Sequence, residues 1–228
     1  MKMRLLFHRH SVFGLFFALS FVFSISGIEF SRPTASGDTG FEVTPQFLKA
    51  ISSGFWPAAC DALWLGVVQD IGEKKPTPET EARARVGYQM IQALDPDFFE
   101  TYEQGASAFI AWYKNVDAAL EVLDRGISIF EGKEVPRGSW NRGYLLYIYR
   151  AFVHGYLRQD FAKAKADYLT ASEVKGAPPY LSQMRQWLNQ EHSEKILGVK
   201  MLKILISNTQ DPALKEFYME KLKLYEPR

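Results

Sequence analysis

Few side chains in this sequence could act as a nucleophile, a base or a metal ligand. Cys occurs once, at Cys60, and His four times, at His8, His10, His154 and His192. A thiol nucleophile needs a neighbouring base to become a thiolate. Cys60 lies in Ala59-Cys60-Asp61-Ala62 with no His close in sequence, and reads as a small packed residue. Asp61 shares a helical face with Trp64, Leu65 and Val68, which predicts a buried carboxyl held by a hydrogen bond or kept protonated. Glu100 and Glu103 are further acids that could act on wall material. No carboxylate lies near enough to Asp61 in sequence to complete an acid–base pair. A zinc site draws three or four ligands from Cys, His, Asp and Glu, and the two His of the chain body are far apart. Phosphate-binding, dinucleotide-binding, serine-hydrolase and zinc-protease motifs are all missing. These counts predict a protein without catalytic residues, metal or cofactor.

The side chains suited to recognition concentrate between Trp140 and His154. Trp140, Tyr144, Tyr147, Ala151 and His154 recur at i, i+4, i+7, i+11 and i+14, along one side of a helix. Leu145, Ile148, Phe152 and Tyr156 form a second side. Rings with polar tips suit a surface that is both adhesive and wet. Asn141, Arg150 and His154 flank them and can meet a peptide backbone or a carboxylate. The alternative is that the rings are core, as aromatic stripes at helical spacing usually are. Trp112 and Tyr113 either extend this line or pack under the turn at Asn115. The candidate partner-binding set is therefore Trp112, Trp140, Asn141, Tyr144, Tyr147, Arg150 and His154.

These residues must be carried by a chain whose two ends differ in character. Lys2, Arg4 and Arg9 precede 18 uncharged residues, 11–28, rich in Phe, Leu, Val and Ile, and the first acid is Glu29. This length is the lower limit for a membrane-spanning helix. The same segment has the layout of a signal peptide, with small residues at Ser24 and Ser26. Anchor and cleaved signal both remain open, and both export the rest of the chain. The whole chain carries 27 Lys and Arg against 26 Asp and Glu, which gives no footing for nucleic acid. Without residues 1–26 the balance becomes 24 against 26 and two His remain. No glycosylation sequon occurs, which favours a bacterial envelope. Residues 29–43, with Ser31–Gly40 rich in Gly, Ser, Thr and Pro, read as a flexible linker.

From residue 44 to 228 the pattern is helical, without the period-2 alternation of strands. Thr44-Pro45, Thr77-Pro78 and Asp211-Pro212 each place a capping side chain before Pro at the first helical position. The expected helices run to about Gly54, from Pro57 to about Gly72, from Pro78, and then roughly over 98–113, 116–131, 139–158, 160–174, 179–190, 193–207 and 212–225. Pro96, Pro136, Pro178 and Pro212 are spaced by 40, 42 and 34 residues, a period typical of stacked helix pairs. The last helix carries Leu214, Phe217, Tyr218, Leu222 and Tyr225 opposite Lys215, Glu216, Lys221 and Lys223, as a terminal cap helix would.

Within these units, small residues recur where helices would cross and rings where they would fill the space between. Ala84 and Tyr88 precede Pro96; Gly105, Ala106, Ala119, Leu123 and Gly126 follow; then Phe161, Ala164, Tyr168 and Ala171. In this the chain resembles the tetratricopeptide repeat (TPR) over about residues 55–210. The loop at Glu73–Thr77 and the long helix after Ser139 depart from the repeat's 34-residue pattern. Ala59–Leu65 with Val68, Gln69 and Gly72 is also similar to membrane-anchored, repeat-containing proteins of bacterial envelopes. The resemblance implies an all-α fold, a short α-solenoid of about four TPR-like helix pairs with a C-terminal cap helix, preceded by an N-terminal hydrophobic helix. It also implies a binding scaffold with no chemistry to transfer. The expected setting is the bacterial inner membrane, with the body in the periplasm, or soluble periplasm if the segment is cleaved. The expected partners are envelope proteins in a multi-protein complex, with the membrane reached through residues 11–28. An envelope enzyme and a small-ligand binder using the aromatic line are the alternatives.

Overall fold

The computed structural model describes residues 44–225 apart from 53, 74, 138 and 139, and the backbone alone at 51, 73, 136, 137 and 140. The 1–28 anchor or signal segment and the 29–43 linker lie outside the described residues. Among the described residues, no helix is long and apolar enough to cross a membrane. The described residues are helical apart from one pair of two-residue strands and the connecting turns, and the helices pack in adjacent pairs. The chain divides between Thr101 and Tyr102 into two compact units.

The first unit holds α1 (Pro45–Ile51), α2 (Trp56–Glu73) and α3 (Pro78–Leu94). The Thr44 hydroxyl accepts from the Phe47 N–H at 3.2 Å and closes the start of α1. Thr77 and Thr80 form a reciprocal capping box on α3, with Glu79 and Glu81 in its first turn. Helices α2 and α3 run antiparallel. Asp70 meets Arg83 at 3.2 Å near one end, and further along Trp64 meets Tyr88 edge-to-face with ring centres 6.2 Å apart. Between these contacts Gly87 faces Val67 so closely that a Cβ would collide with it. Cys60, Val67, Ala84, Tyr88, Ile91, Leu94 and Phe99 are buried in this unit.

The second unit begins within α4 (Glu100–Ala111) and continues through α5 (Val116–Phe130), which Asn115 caps by accepting from the Ala118 N–H at 2.9 Å. Strands β1 (Pro136–Arg137) and β2 (Trp140–Asn141) then pair antiparallel, with Pro136 opposite Asn141. Helix α6 (Tyr144–Phe152) widens without a break into a π-helical turn at Val153–Leu157. Helices α7 (Phe161–Glu173), α8 (Pro179–Leu188), α9 (Ser193–Asn208) and α10 (Pro212–Tyr225) follow. The helix expected over 139–158 therefore starts later, at Tyr144, because the Asn141 side chain and backbone are held in a loop network instead.

Small residues set the helix spacing here. A Cβ on Gly126 of α5 would lie 2.9 Å from Tyr102 of α4, and one on Gly198 of α9 would lie 2.7 Å from the Phe161 ring of α7. Gly155, in the π turn, stands against Met201 of α9. Phe161, Ala164, Leu188, Leu197, Met201 and Leu202 form one buried cluster, over which Tyr218, Leu222 and Tyr225 of α10 pack. The expected apolar stripe of α10 is thus only half covered. Leu214 and Phe217 are exposed, because the helix rests on its other apolar flank.

Two glycine substitutions should move stability in opposite directions. Gly126→Ala forces a methyl against the Tyr102 ring and is expected to cost about 1–3 kcal/mol. Gly66→Ala has nothing within 4 Å of the new methyl and sits inside α2, so it is expected to stabilise by about 0.5–1 kcal/mol. Urea unfolding of both variants beside the parent checks the pair.

Candidate functional site

Of the expected recognition line, the structure places Tyr144, Tyr147, Ala151 and His154 on α6 and its π turn. Trp140 and Asn141 precede that helix in β2, so the line is shorter than its spacing implied. The Trp140 side chain lies outside the described residues. Tyr144 is buried with Ala171 and Leu181, and Ala151 is fully buried. Both are core.

Asn141 is buried and its amide ties three segments together. Its Oδ1 accepts from the Val135 N–H at 2.9 Å and the Gly143 N–H at 3.0 Å, and its Nδ2 donates to the Lys175 carbonyl at 3.0 Å. Its backbone N–H donates to the Gly176 carbonyl at 2.9 Å. With its hydrogen-bonding capacity used in this way, Asn141 is a structural clamp.

Arg150 is likewise committed within the fold. Its guanidinium forks onto Asp167 of α7, with Nη2 2.6 Å from Oδ1 and Nε 3.1 Å from both oxygens. Its Nη1 reaches Asp124 of α5 at 2.6 Å. Burial works against the charge, but the hydrogen bonds the guanidinium donates to Asp167 and Asp124 outweigh it and hold its pKa above its usual value. About two turns on, just past the π turn, Arg158 pairs with Asp117, so that acids of α5 face arginines of α6 and of the residue that closes the π turn. Asp117 and Asp124 are seven residues apart on α5, and that spacing is the sequence signal for this arrangement.

His154 lies at the end of this network, its Nε2 3.9 Å from Asp167. Burial pushes its pKa below the usual value, and Asp167 opposes that only in part. Tyr147 is half-buried, with the Arg150 guanidinium 5.7 Å from its ring centre. Burial first, then Glu131, raises its phenol pKa. Trp112 is 36% exposed at the end of α4, while Tyr113 packs on Phe109 with ring centres 5.8 Å apart.

The acids weighed for catalysis do not assemble. Asp61, expected to be buried, is exposed, and so are Leu65 and Val68 beside it. That face of α2 points away from α3, which takes Cys60, Trp64 and Val67 instead. Glu103 pairs with Arg142 at 2.6 Å and accepts from the Tyr149 hydroxyl at 3.3 Å. The Cys60 thiol is buried, and burial together with Asp95 and Asp61 pushes its pKa up to about 11, which suppresses the thiolate. Among the described residues no group of three or more His, Cys, Asp or Glu could hold a metal ion. Of the described side chains in the expected set, Trp112 is the most exposed, while Tyr147 packs in part on the Tyr144, Ala171 and Leu181 cluster and the His154 side chain keeps only an edge in solvent.

The depressed His154 pKa fixes the sign of a pH effect. Folding favours the neutral ring, so its contribution is full above the unfolded value and is lost as pH falls from about 6.5 through the folded value. His154→Gln should flatten that part of the profile, measured as urea midpoints from neutral to mildly acidic pH, and an unchanged slope would assign the effect to other groups. Compared with family models, with curated proteins and with solved structures, the chain matches none.

Proposed function

We propose that this chain is a non-catalytic interaction scaffold of a bacterial envelope assembly. Residues 44–228 would form a short TPR-like α-solenoid with α10 as its terminal cap. Residues 11–28 would hold it at the inner membrane with its body in the periplasm. The observation that carries this reading is how the helices are joined. Adjacent helices meet at Ala and Gly, as at Ala84, Ala106, Ala119, Gly126, Ala164 and Ala171, with Tyr and Phe between them. The acids and arginines close to the aromatic line are spent on ion pairs between helices, which leaves its rings as recognition groups.

The partner is a peptide or helix of another envelope protein, met by Tyr147, Trp112 and His154. Tyr144, Asn141 and Arg150 support that surface from within.

A photo-cross-linking residue at Tyr147 or Trp112, introduced into the full chain in its native envelope, tests this. One discrete cross-linked protein, missing when the probe stands at Ala93, is the expected result. Lack of any protein adduct from both positions overturns the reading. Tyr147→Ala should weaken capture of that partner and leave helical circular dichroism intact. Tyr144→Ala should instead cost about 3 kcal/mol of stability, read by urea unfolding.

A further inference from the structure

The first unit exposes several large apolar side chains, Leu65, Val68 and Val86 among them, and at its start such groups stand in a stretch almost without charge. The 17 residues Thr44–Cys60 carry a single charge, Lys49, between Glu42 and Asp61. In the structure they form α1, a turn and the first turns of α2, and they present large apolar groups outward. Phe47 is 38% exposed and Phe55 is 59% exposed, with Pro57 and Ala58 exposed beside them. Trp56 is half-buried, and the Lys49 ammonium stands 5.7 Å from its ring centre.

We infer that this corner, Phe47, Lys49, Phe55, Trp56 and Ala58, docks in the headgroup region of a phospholipid bilayer. The inference rests on reading residues 11–28 as a retained anchor. Sequence distance supplies the argument for the occupant. The uncharged stretch ends at Ile28, and 15 residues separate it from Thr44. A segment of 15 residues spans at most about 50 Å. Thr44 and the residues after it are therefore confined near the bilayer whether or not they bind it, and even a weak surface is occupied at such an effective concentration. The chemistry suits that place. Phe and Trp favour the boundary between headgroups and acyl chains, a Lys can extend its ammonium to lipid phosphates, and no carboxylate within Thr44–Cys60 repels an anionic surface.

The test uses the full chain reconstituted in vesicles of phosphatidylethanolamine and phosphatidylglycerol. An environment-sensitive fluorophore is attached at Ala50→Cys, on the exposed side of α1, or at Ala82→Cys near the start of α3. The antiparallel α2–α3 pairing puts Ala82 at the other end of the pair, about 20 Å from Trp56. The buried Cys60 thiol, with its raised pKa, stays unlabelled at neutral pH. Lipid brominated on the upper acyl chain should reduce emission about twofold at Ala50→Cys and leave Ala82→Cys unchanged. Phe55→Ser and Lys49→Gln should each diminish the quenching with helical circular dichroism retained; quenching at full strength in both overturns the assignment of these residues. Vesicle flotation separates the two premises. Protein that does not float with the lipid overturns the anchor reading, and the docking with it. Protein that floats but gives equal emission in brominated and plain vesicles overturns the docking alone.

Discussion

Two helices can approach closely only where the side chains at their crossing are small, and much of the second unit follows from that constraint. Gly126 lets the Tyr102 ring lie against α5, Gly198 receives the Phe161 ring, and Gly155 admits Met201 to the π turn. Each glycine faces a large group, so the shape of one helix is written into the next. The π turn belongs to the same logic. The Arg158 N–H donates to the Val153 carbonyl at 2.9 Å, five residues back, and this wider turn carries Gly155 past both Ala164 and Met201.

Charge is organised around this packing. Helices α5, α6 and α7 meet at Arg150, whose fork takes a carboxylate from each neighbour. Arg142, Glu103 and Tyr149 do the same between α4 and α6. Pairs of this kind add little as attraction, because both partners lose water, but a mispaired register would strand a buried charge. They therefore act against wrong alignments of the helices more than they strengthen the right one.

The helices were legible in the sequence because their ends are local. Thr44, Thr77 and Asp211, the three expected caps, each satisfy an N–H two or three residues ahead, and Asn115 and Asp160 do the same for α5 and α7. The small residues at helix contacts were legible through the repeat resemblance, which marks Ala84, Ala119, Ala164 and Ala171 as close-contact positions, and all four are buried. The candidate site was less so. Asn141 was read as a binding group because its amide partners come from 175 and 135 and not from its own turn. Arg150 faced the same difficulty, as Asp124 and Asp167 are 26 and 17 residues away. The spacing puts Asp61 on the buried side, and the structure exposes it, because α2 is apolar on both flanks and periodicity alone does not say which flank a neighbour covers.

A chain with one cysteine cannot close a covalent loop on itself, yet the Asn141 clamp has a comparable topological effect. It joins the approach to α6 with the exit from α7, residues 34 apart in sequence, through bonds to Lys175 and Gly176, and ties in Val135 from the preceding turn. Both ends of that hairpin are thereby fastened at one point. Thermal opening of either loop has to release the same side chain, so the two loops behave as one cooperative element, and their amide protons share one opening free energy.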